Sequence, residues 1–316
     1  MYKVILYYKF NEVVEPQAFT KTHKELCRSL NLSGRVYVSD EGINGTLAGT
    51  IENIDSYKKE LCSLKGFEAT QFKEDESDVI PFAKLIVKYR PEIVSLRADI
   101  EIKPHERRGN HLNPTQWRNV LENEKDFVII DARNNYESKV GHFEGAILPD
   151  LKNFYDFPNW LNEVEGEIPK EKKVLMYCTG GIRCEKFSLL MEAKGWNDVY
   201  QLDGGIINYG KVEGGAHFKG KCFVFDDRLV VPVNPADDEP VSHCELTGTP
   251  ADTYLNCANM DCNRLFICSP EGAEVYKGAC SEECMNSKRL RPFNAENAFA
   301  PFRKWYHYFD ADFKKI

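Results

Sequence analysis

A strand, a glycine loop and a helix follow one another around Cys178, and this arrangement restricts the fold more than any other feature of the chain. The apolar run at residues 173–177 predicts a buried strand, and residues 185–193 predict a helix. Between them lies the loop Cys178-Thr179-Gly180-Gly181-Ile182-Arg183-Cys184. A cysteine at this place lies where backbone N–H groups converge and where the dipole of the following helix is positive.

This loop predicts a reactive thiolate at Cys178. Gly180 and Gly181 would let the backbone curl around the sulfur, and Arg183 would add a fixed positive charge. Because the thiolate is the nucleophilic form of cysteine, we expect covalent sulfur chemistry with Cys178 and Arg183 as the catalytic residues. The alternative is an inert buried thiol. Cys184 either packs in the helix or acts as a resolving thiol that forms a disulfide with Cys178.

Three further motifs flank this loop. Residues 127–131 predict a fully buried parallel strand that leads into a D-x-R…E element, and GH-x-x-GA and L-x-GG elements follow at residues 141–146 and 202–205. In this order the motifs resemble a rhodanese domain, a doubly wound parallel-sheet fold, over residues 113–212. The resemblance implies that Cys178 is the position that carries a persulfide in sulfurtransferases of this family. Within the D-x-R element, an ion pair that orients the loop is the expected role of Asp131 and Arg133.

Residues 1–90 predict a separate α+β domain. The expected strands and helices are Tyr2–Phe10, Pro16–Leu30, Gly34–Ser39, Gly45–Ala48, Ile54–Lys65 and Ala83–Tyr89. Their order βαββαβ predicts a ferredoxin-like domain. The pair Asn44-Gly45 is typical of a tight hairpin turn, and the alternative is an exposed polar loop that faces the Cys178 pocket or the substrate. Residues 91–112, with two prolines and many charges, predict a linker.

Residues 213–316 predict a small Cys-rich domain. Its cysteines are Cys244, Cys257, Cys262, Cys268, Cys280 and Cys284. The pairs Cys257-x4-Cys262 and Cys280-x3-Cys284 offer thiolates at short range from two turns, which suits tetrahedral zinc. We therefore expect these four residues to be ligands of a structural zinc ion, with Cys244 as the alternative ligand. The other interpretation is a cluster of reduced thiols in a small core.

Charge is distributed unevenly along the chain. The formal net charge of −8 alone argues mildly against binding to nucleic acid. Residues 103–111 and the tail from Lys288 are nevertheless basic, and the tail interleaves its cations with aromatic residues. This pattern suits single-stranded RNA, whose bases stack on rings while cations meet phosphates, and the alternative is a tail that docks its rings onto the protein. The expected RNA-binding residues are Arg107, Arg108, Arg303 and Lys304.

Length and cysteine usage limit the class of protein. A chain of 316 residues is long enough for two or three domains. No apolar run is long enough to cross a membrane, and the aromatic N-terminus lacks a small-residue cleavage site, so it predicts a strand and not a signal peptide. Eleven cysteines without an export signal predict a cytoplasmic protein with thiol or metal chemistry.

The chain as a whole resembles the bacterial rhodanese-related tRNA uridine hydroxylase family. The resemblance rests on V-S-x-E-G-I-N-G-T at residues 38–46, on C-T-G-G-I-R-C-E-K at residues 178–186 and on the cysteine-rich tail. It implies an enzyme that hydroxylates C5 of the wobble uridine at position 34 of the tRNA anticodon to give 5-hydroxyuridine. Molecular oxygen would be the co-substrate and Cys178 would be essential. In one departure, Thr247 stands where the tail of this family commonly has the second cysteine of a C-x-x-C pair.

The residues themselves leave other functions open. We expect neither a flavin nor a nicotinamide site, because no glycine fingerprint follows a strand, and no 2-His-1-carboxylate pattern is convincing. A sulfurtransferase that moves persulfide sulfur from Cys178 to a small-molecule, protein or tRNA acceptor would use the same loop. A small-molecule or protein donor of sulfur or electrons is an expected partner of either enzyme. A third interpretation is a non-catalytic module that binds RNA or protein.

Overall fold

The computed structural model describes residues 1–236 and 239–301. By contacts the chain divides into two compact units, residues 1–138 with 143–218 and residues 139–142 with 219–316. The first unit contains an N-terminal mixed sheet and a parallel sheet. Within the described ranges, no helix is both long enough and apolar enough to span a membrane.

The N-terminal sheet has the expected ferredoxin-like arrangement. Its elements are β1 (Tyr2–Phe10), α1 (Pro16–Ser29), β2 (Ser33–Ser39), β3 (Gly42–Gly49), α2 (Ile51–Cys62), β4 (Gln71–Ser77) and β5 (Leu85–Tyr89). The strand order is β4-β1-β3-β2-β5, and all neighbours are antiparallel except β2 and β5. The first four strands and two helices form the βαββαβ unit, which confirms this part of the predicted fold class.

The assignment of the last strand of this unit was wrong. The predicted strand at residues 83–89 exists as β5, but it is an extra strand parallel to β2. The fourth strand of the βαββαβ unit is β4, whose sequence QFKEDES contains no buried residue. Because β4 lies at the edge of the sheet, it shows no apolar alternation, and its backbone pairing with β1 holds it in place.

Asn44-Gly45 is not a turn. The hairpin between β2 and β3 turns at Asp40 and Glu41, and Asn44-Gly45 lies inside β3. A Cβ atom on Gly45 would stand 2.4 Å from the Tyr7 hydroxyl of the neighbouring strand. Glycine is therefore needed here for the close approach of a buried tyrosine, and the Asn-Gly signal was misleading.

The second part of the first unit contains a parallel sheet. Its elements in chain order are β6 (Asn110–Leu112), α3 (Pro114–Asn123), β7 (Phe127–Asp131), α4 (Asn135–Ser138), β8 (Gly141–Phe143), α5 (Phe157–Glu163), β9 (Lys173–Tyr177), α6 (Ile182–Ala193), β10 (Val199–Leu202) and α7 (Gly205–Glu213). A 3-10 helix at Phe154–Asp156 precedes α5. The sheet order is β6-β10-β9-β7, all parallel, and β8 belongs to a different sheet. The predicted parallel-sheet domain is confirmed.

Apolar side chains of β7, β9, α5 and α6 form the core under this sheet. The strand β9 is buried from Val174 onward, and α6 is buried over most of its length. The segment expected to be a linker also takes part, because Leu96 is buried in this core and the last three residues of the segment form β6. Leu96 of the expected linker therefore belongs to the same core as α6.

The second unit has two small sheets and short helices. Its further elements are β11 (Phe218–Phe223), β12 (Val230–Pro232), β13 (Tyr254–Asn256), β14 (Leu265–Ile267), α8 (Pro270–Val275), α9 (Glu282–Met285) and a 3-10 helix at Ala295–Asn297. The strand order of one sheet is β12-β11-β8, and β13 pairs with β14.

Candidate active site

Cys178 is the first residue after β9 and the first residue of the predicted loop. Its side chain is only 1% exposed. The backbone N–H of Gly181 donates a hydrogen bond to its Sγ at 3.1 Å. Gly181 is also the N-cap of α6 and has a φ of +102°, a conformation that favours glycine. The glycine therefore allows the backbone to turn an N–H group towards the sulfur.

The surroundings of Cys178 favour its thiolate. Burial by itself raises the pKa of the thiol, but a hydrogen bond from Cys184, the charge of Arg183 and N–H groups of Arg183 and Gly181 outweigh it. Together they lower the pKa of Cys178 to about 5. At neutral pH the side chain is therefore the nucleophilic thiolate.

Cys184 has the opposite character. It is fully buried in the first turn of α6, and burial together with the neighbouring Cys178 thiolate raises its pKa well above the usual value. Cys184 is therefore a neutral thiol that donates its S–H to Cys178. Both cysteines are reduced in this structure.

The guanidinium of Arg183 is held in place by Glu137. Its Nη1 and Nη2 both donate to the Glu137 carboxylate, with an Nη2–Oε2 distance of 2.7 Å. Thr179 donates to the same carboxylate at 3.3 Å, and Glu137 is completely buried. The last residue of the D-x-R…E element therefore ties the loop to α4. This function was missed in the sequence, although the motif contains the residue.

Asp131 and Arg133 form the expected ion pair at the end of β7. Arg133 Nη2 lies 2.6 Å from Asp131 Oδ2, and neither side chain is exposed. The Tyr177 hydroxyl donates to the same carboxylate at 2.8 Å. Because Tyr177 directly precedes Cys178, the pair acts on the loop through the end of β9.

Backbone N–H groups of α7 hold the other side of the loop. Ile206 donates to the Cys178 carbonyl at 3.0 Å, and Ile207 donates to the Thr179 carbonyl at 3.2 Å. Gly205 has a φ of +66°, and a Cβ atom there would stand 2.5 Å from the Cys178 carbonyl oxygen. The L-x-GG element therefore provides the close approach that this contact needs.

The N-terminal sheet presents one face to the Cys178 loop. Alternate residues of β1 point to opposite faces, so Tyr7 enters the core of the sheet while Leu6 and Tyr8 point the other way. A Cβ atom on Gly180 would stand 2.6 Å from Leu6 Cδ2, and the Tyr8 hydroxyl donates to Glu185 Oε1 at 3.0 Å. The N-terminal part therefore covers the loop directly.

A buried cation strengthens this contact. Lys186 of α6 is 3% exposed, and its Nζ lies 2.8 Å from Glu41 Oε2 and 2.6 Å from Glu92 Oε2. Glu41 is the glutamate of the E-G-I-N-G motif, and its Oε1 also accepts the N–H of Ile93 at 2.8 Å. The motif thus faces the helix that follows Cys178, and its described contact is an ion pair.

The structure describes two of the four residues that are expected to bind RNA. Arg107 pairs with Glu192, and Arg108 is 68% exposed with its Nη2 3.3 Å from Glu185 Oε1. Arg303 and Lys304 lie outside the described residues, as does most of the aromatic tail. Of Arg107 and Arg108, the two that the structure describes, Arg108 contacts Glu185 of the C-T-G-G-I-R-C-E-K motif.

Four cysteines of the second unit form a cluster. The Sγ atoms of Cys257, Cys262, Cys280 and Cys284 all lie within 4.8 Å of one another. The Cys262–Cys280 and Cys280–Cys284 Sγ distances are 3.7 and 3.8 Å. The Cys280 N–H also donates to Cys257 Sγ at 3.3 Å. These are the four residues that the sequence spacing selects.

Cys244, the alternative ligand, lies elsewhere in the second unit. Hydrogen bonds from Ser269 and Thr247 outweigh burial and lower its pKa to about 6. It forms a pair with buried Cys268, whose pKa is raised to about 12 by burial and by the charge of Cys244. Thr247 therefore acts as a hydrogen-bond donor to Cys244.

Three domain families match successive parts of the chain. Residues 2–93 match the UPF0176 acylphosphatase like domain, residues 114–211 match the Rhodanese-like domain and residues 219–285 match the Rhodanase C-terminal domain.

Relatives match this chain over nearly its full length. A protein of Chlamydia felis named tRNA uridine(34) hydroxylase is 43% identical over 96% of this chain and 93% of its own length. A protein of that name from Protochlamydia amoebophila is 39% identical over 98% and 96%. One from Bacillus cereus is 45% identical over 92% and 91%.

Proposed function

This chain belongs to the tRNA uridine(34) hydroxylase family, and we propose that it is an enzyme that hydroxylates uridine 34 of tRNA at C5 of the base. The product would be 5-hydroxyuridine and the co-substrate molecular oxygen. The observation that carries this proposal is the Cys178 thiolate, a nucleophile with a pKa of about 5 in the loop between β9 and α6. Nearly full-length identity to relatives with this name supports the choice of substrate.

The chemistry follows from the polarity of the uracil ring. A thiolate can add to C6, forming an S–C6 bond while the C5–C6 π pair moves towards C5 and O4. The resulting electron-rich C5 then attacks an electrophilic oxygen species derived from dioxygen. A reductant supplies two electrons so that the second oxygen atom leaves as water, and loss of the C5 proton with expulsion of Cys178 restores the ring.

Surrounding groups would keep Cys178 ready for this addition. Arg183, held by Glu137, provides the fixed charge, and Cys184 and Gly181 provide hydrogen bonds that a protonated thiol would lack. These groups need not move during the reaction, which is the requirement for electrostatic preorganisation. Thr179, Gly180 and Ile182 complete the loop, with Asp131 and Arg133 behind it.

The four-cysteine cluster fits a structural zinc ion. With Zn–S bonds of about 2.3 Å, tetrahedral geometry requires S–S distances of about 3.8 Å. The Sγ distances of 3.7 Å between Cys262 and Cys280 and of 3.8 Å between Cys280 and Cys284 match this requirement. Zinc would link β13, β14 and α9, which are too short to form a stable core alone.

We propose that four basic residues contact the anticodon arm of the tRNA. They are Arg107, Arg108 and, in the tail, Arg303 and Lys304. Arg108 supports this role because it is exposed beside the loop. We propose a cytoplasmic location, which a tRNA substrate and eleven free cysteines support. The proposed domain limits are those expected from the sequence, except that residues 110–112, which form β6, belong with the parallel sheet.

Nucleoside mass spectrometry tests the proposal. Cells that lack the gene are complemented with wild type, Cys178→Ser or, as a matched control, Cys27→Ala, whose thiol is buried in the N-terminal core. We expect 5-hydroxyuridine in tRNA only with wild type and the control. Unchanged 5-hydroxyuridine in all strains would contradict the proposal, and sulfur transfer from thiosulfate by purified protein would then identify a sulfurtransferase.

A further inference from the structure

A cavity of about 150 Å³ lies beside the Cys178 loop, between the N-terminal sheet and the start of α6. Its walls include Lys73 of β4, Tyr8 and Phe10 of β1, and Asp203, which directly follows β10. Two further charged residues, Arg108 before β6 and Glu185 of α6, also line it. The space could hold several water molecules or one small planar ring.

Lys73 and Asp203 have unused hydrogen-bonding capacity. In residues 1–236 and 239–301, no carboxylate lies within ion-pair distance of Lys73 Nζ, whose described contact is the Tyr8 ring at 4.6 Å. Over the same ranges, the Asp203 carboxylate has no hydrogen-bond or ion-pair partner. Both side chains are half-buried. A cation and an anion that face one cavity without partners are poised for a ligand that carries both an acceptor and a donor.

Residues next to the cavity contact the glycines of the Cys178 loop. Lys73 pairs with Leu6 across β1 and β4, and Leu6 lies against Gly180. A Cβ atom on Gly181 would stand 2.9 Å from the Tyr8 hydroxyl, and the Gly181 N–H donates to Cys178.

The electrostatics agree with this geometry. Burial lowers the pKa of Lys73, while the charges of Asp203, Cys178 and Glu185 partly offset that effect and Arg108 adds to it. The charge of the Cys178 thiolate thus acts on the ammonium of Lys73.

A uracil base matches this pair of groups. Along one edge it presents O4 as an acceptor and N3–H as a donor, whereas cytosine presents a donor at position 4 and an acceptor at N3. Tyr8 and Phe10 offer rings for an unstacked base, as is common in recognition of single-stranded RNA. Binding through O4 and N3 leaves the C5–C6 edge on the opposite side of the ring free for chemistry.

We propose that this cavity is the base pocket, in which Lys73 donates to O4 of the target uracil and Asp203 accepts from its N3–H. This inference rests on the proposed function, because it takes the substrate to be a uridine of tRNA. Lys73 would have a second use, since the negative charge that moves to O4 on addition of a thiolate at C6 would develop next to its ammonium.

Base discrimination by the full-length protein tests the pocket. Fluorescence anisotropy compares anticodon stem-loop RNAs that differ only in uridine or cytidine at position 34. Variants are Lys73→Met, Asp203→Asn and the control Lys88→Met, an exposed lysine of β5 in the same sheet. Wild type and the control should prefer uridine by about 10-fold to 100-fold, the range for hydrogen bonds to charged groups.

We expect Lys73→Met to bind the uridine RNA at least about 10-fold more weakly, with unchanged affinity for the cytidine RNA. Asp203→Asn should lose the preference as well, because an amide can also donate to N3 of cytosine. Thermal melting identifies a folding defect, which would weaken both RNAs equally. A uridine preference that survives in Lys73→Met overturns the inference.

Mass spectrometry of tRNA from the complemented strains separates the two claims. If wild type and Lys73→Met restore equal levels of 5-hydroxyuridine, the base pocket is refuted and the proposed function stands. If wild type restores none, the proposed function fails and this inference fails with it.

Discussion

Removing the thiol of Cys184 should raise the pKa of Cys178. In a Cys184→Ala protein the thiolate loses one hydrogen-bond donor, while Arg183 and the N–H of Gly181 remain. A hydrogen bond to a charged group contributes about 1.5–3 kcal/mol. One pKa unit corresponds to about 1.36 kcal/mol, so the pKa should rise by about one to two units. Starting from about 5, the pKa of Cys178 should therefore reach about 6 to 7.

Alkylation by iodoacetamide as a function of pH measures this shift. Trypsin cleaves after Lys173 and Arg183, so Cys178 and residue 184 fall in different peptides and are quantified separately. The wild-type rate for Cys178 should be constant at neutral pH and fall as the thiolate is protonated near pH 5. In Cys184→Ala the same fall should begin at higher pH, and Cys27→Ala should behave as wild type.

An unchanged or lowered midpoint in Cys184→Ala would refute the reasoning. It would mean that Arg183 and the backbone alone hold the thiolate. Protein purified without reductant could instead contain a disulfide between Cys178 and Cys184. Wild-type Cys178 would then resist alkylation until the disulfide is reduced.

Three other perturbations follow from the structure. Glu137→Gln leaves the buried guanidinium of Arg183 without its carboxylate. The free energy of unfolding in urea titrations should therefore fall by about 3 kcal/mol, and a loss below about 1 kcal/mol would contradict the ion pair. Cys280→Ser should abolish bound zinc in elemental analysis and lower the melting temperature, whereas equal zinc in both proteins would exclude the cluster. Gly45→Ala should destabilise the protein by about 1–3 kcal/mol because of the Tyr7 hydroxyl. Gly166→Ala, whose added Cβ atom meets nothing within 4 Å, is the control and should be neutral.

Features that are local in the sequence were predicted well. The Cys178 loop could be assigned because the strand, glycines, arginine and helix are contiguous. The four cysteines were correctly selected as a group that comes together because each close pair lies on one short segment. In both cases short spacing limits the geometries that the chain can adopt.

Features that depend on distant partners were missed. Lys186 and Glu41 meet only because the N-terminal sheet covers α6, and a lysine in a helix carries no sign of such a contact. Glu137 holds Arg183 across 46 residues. The strand β4 has no periodic pattern, and Gly45 was taken for a turn because the Tyr7 side chain that requires it lies on another strand.

The ion pairs of Lys186 also determine whether the domains of this enzyme can be separated. A fragment limited to residues 113–212 would keep the Cys178 loop but lose both Glu41 and Glu92, leaving a buried ammonium without a counter-ion. It would also expose the apolar surface that Leu96 covers. Residues 113–212 therefore do not form an exchangeable module. Gene fusions or recombination events that separate them from the N-terminal sheet should yield insoluble protein. The same coupling predicts that both parts melt in a single calorimetric transition.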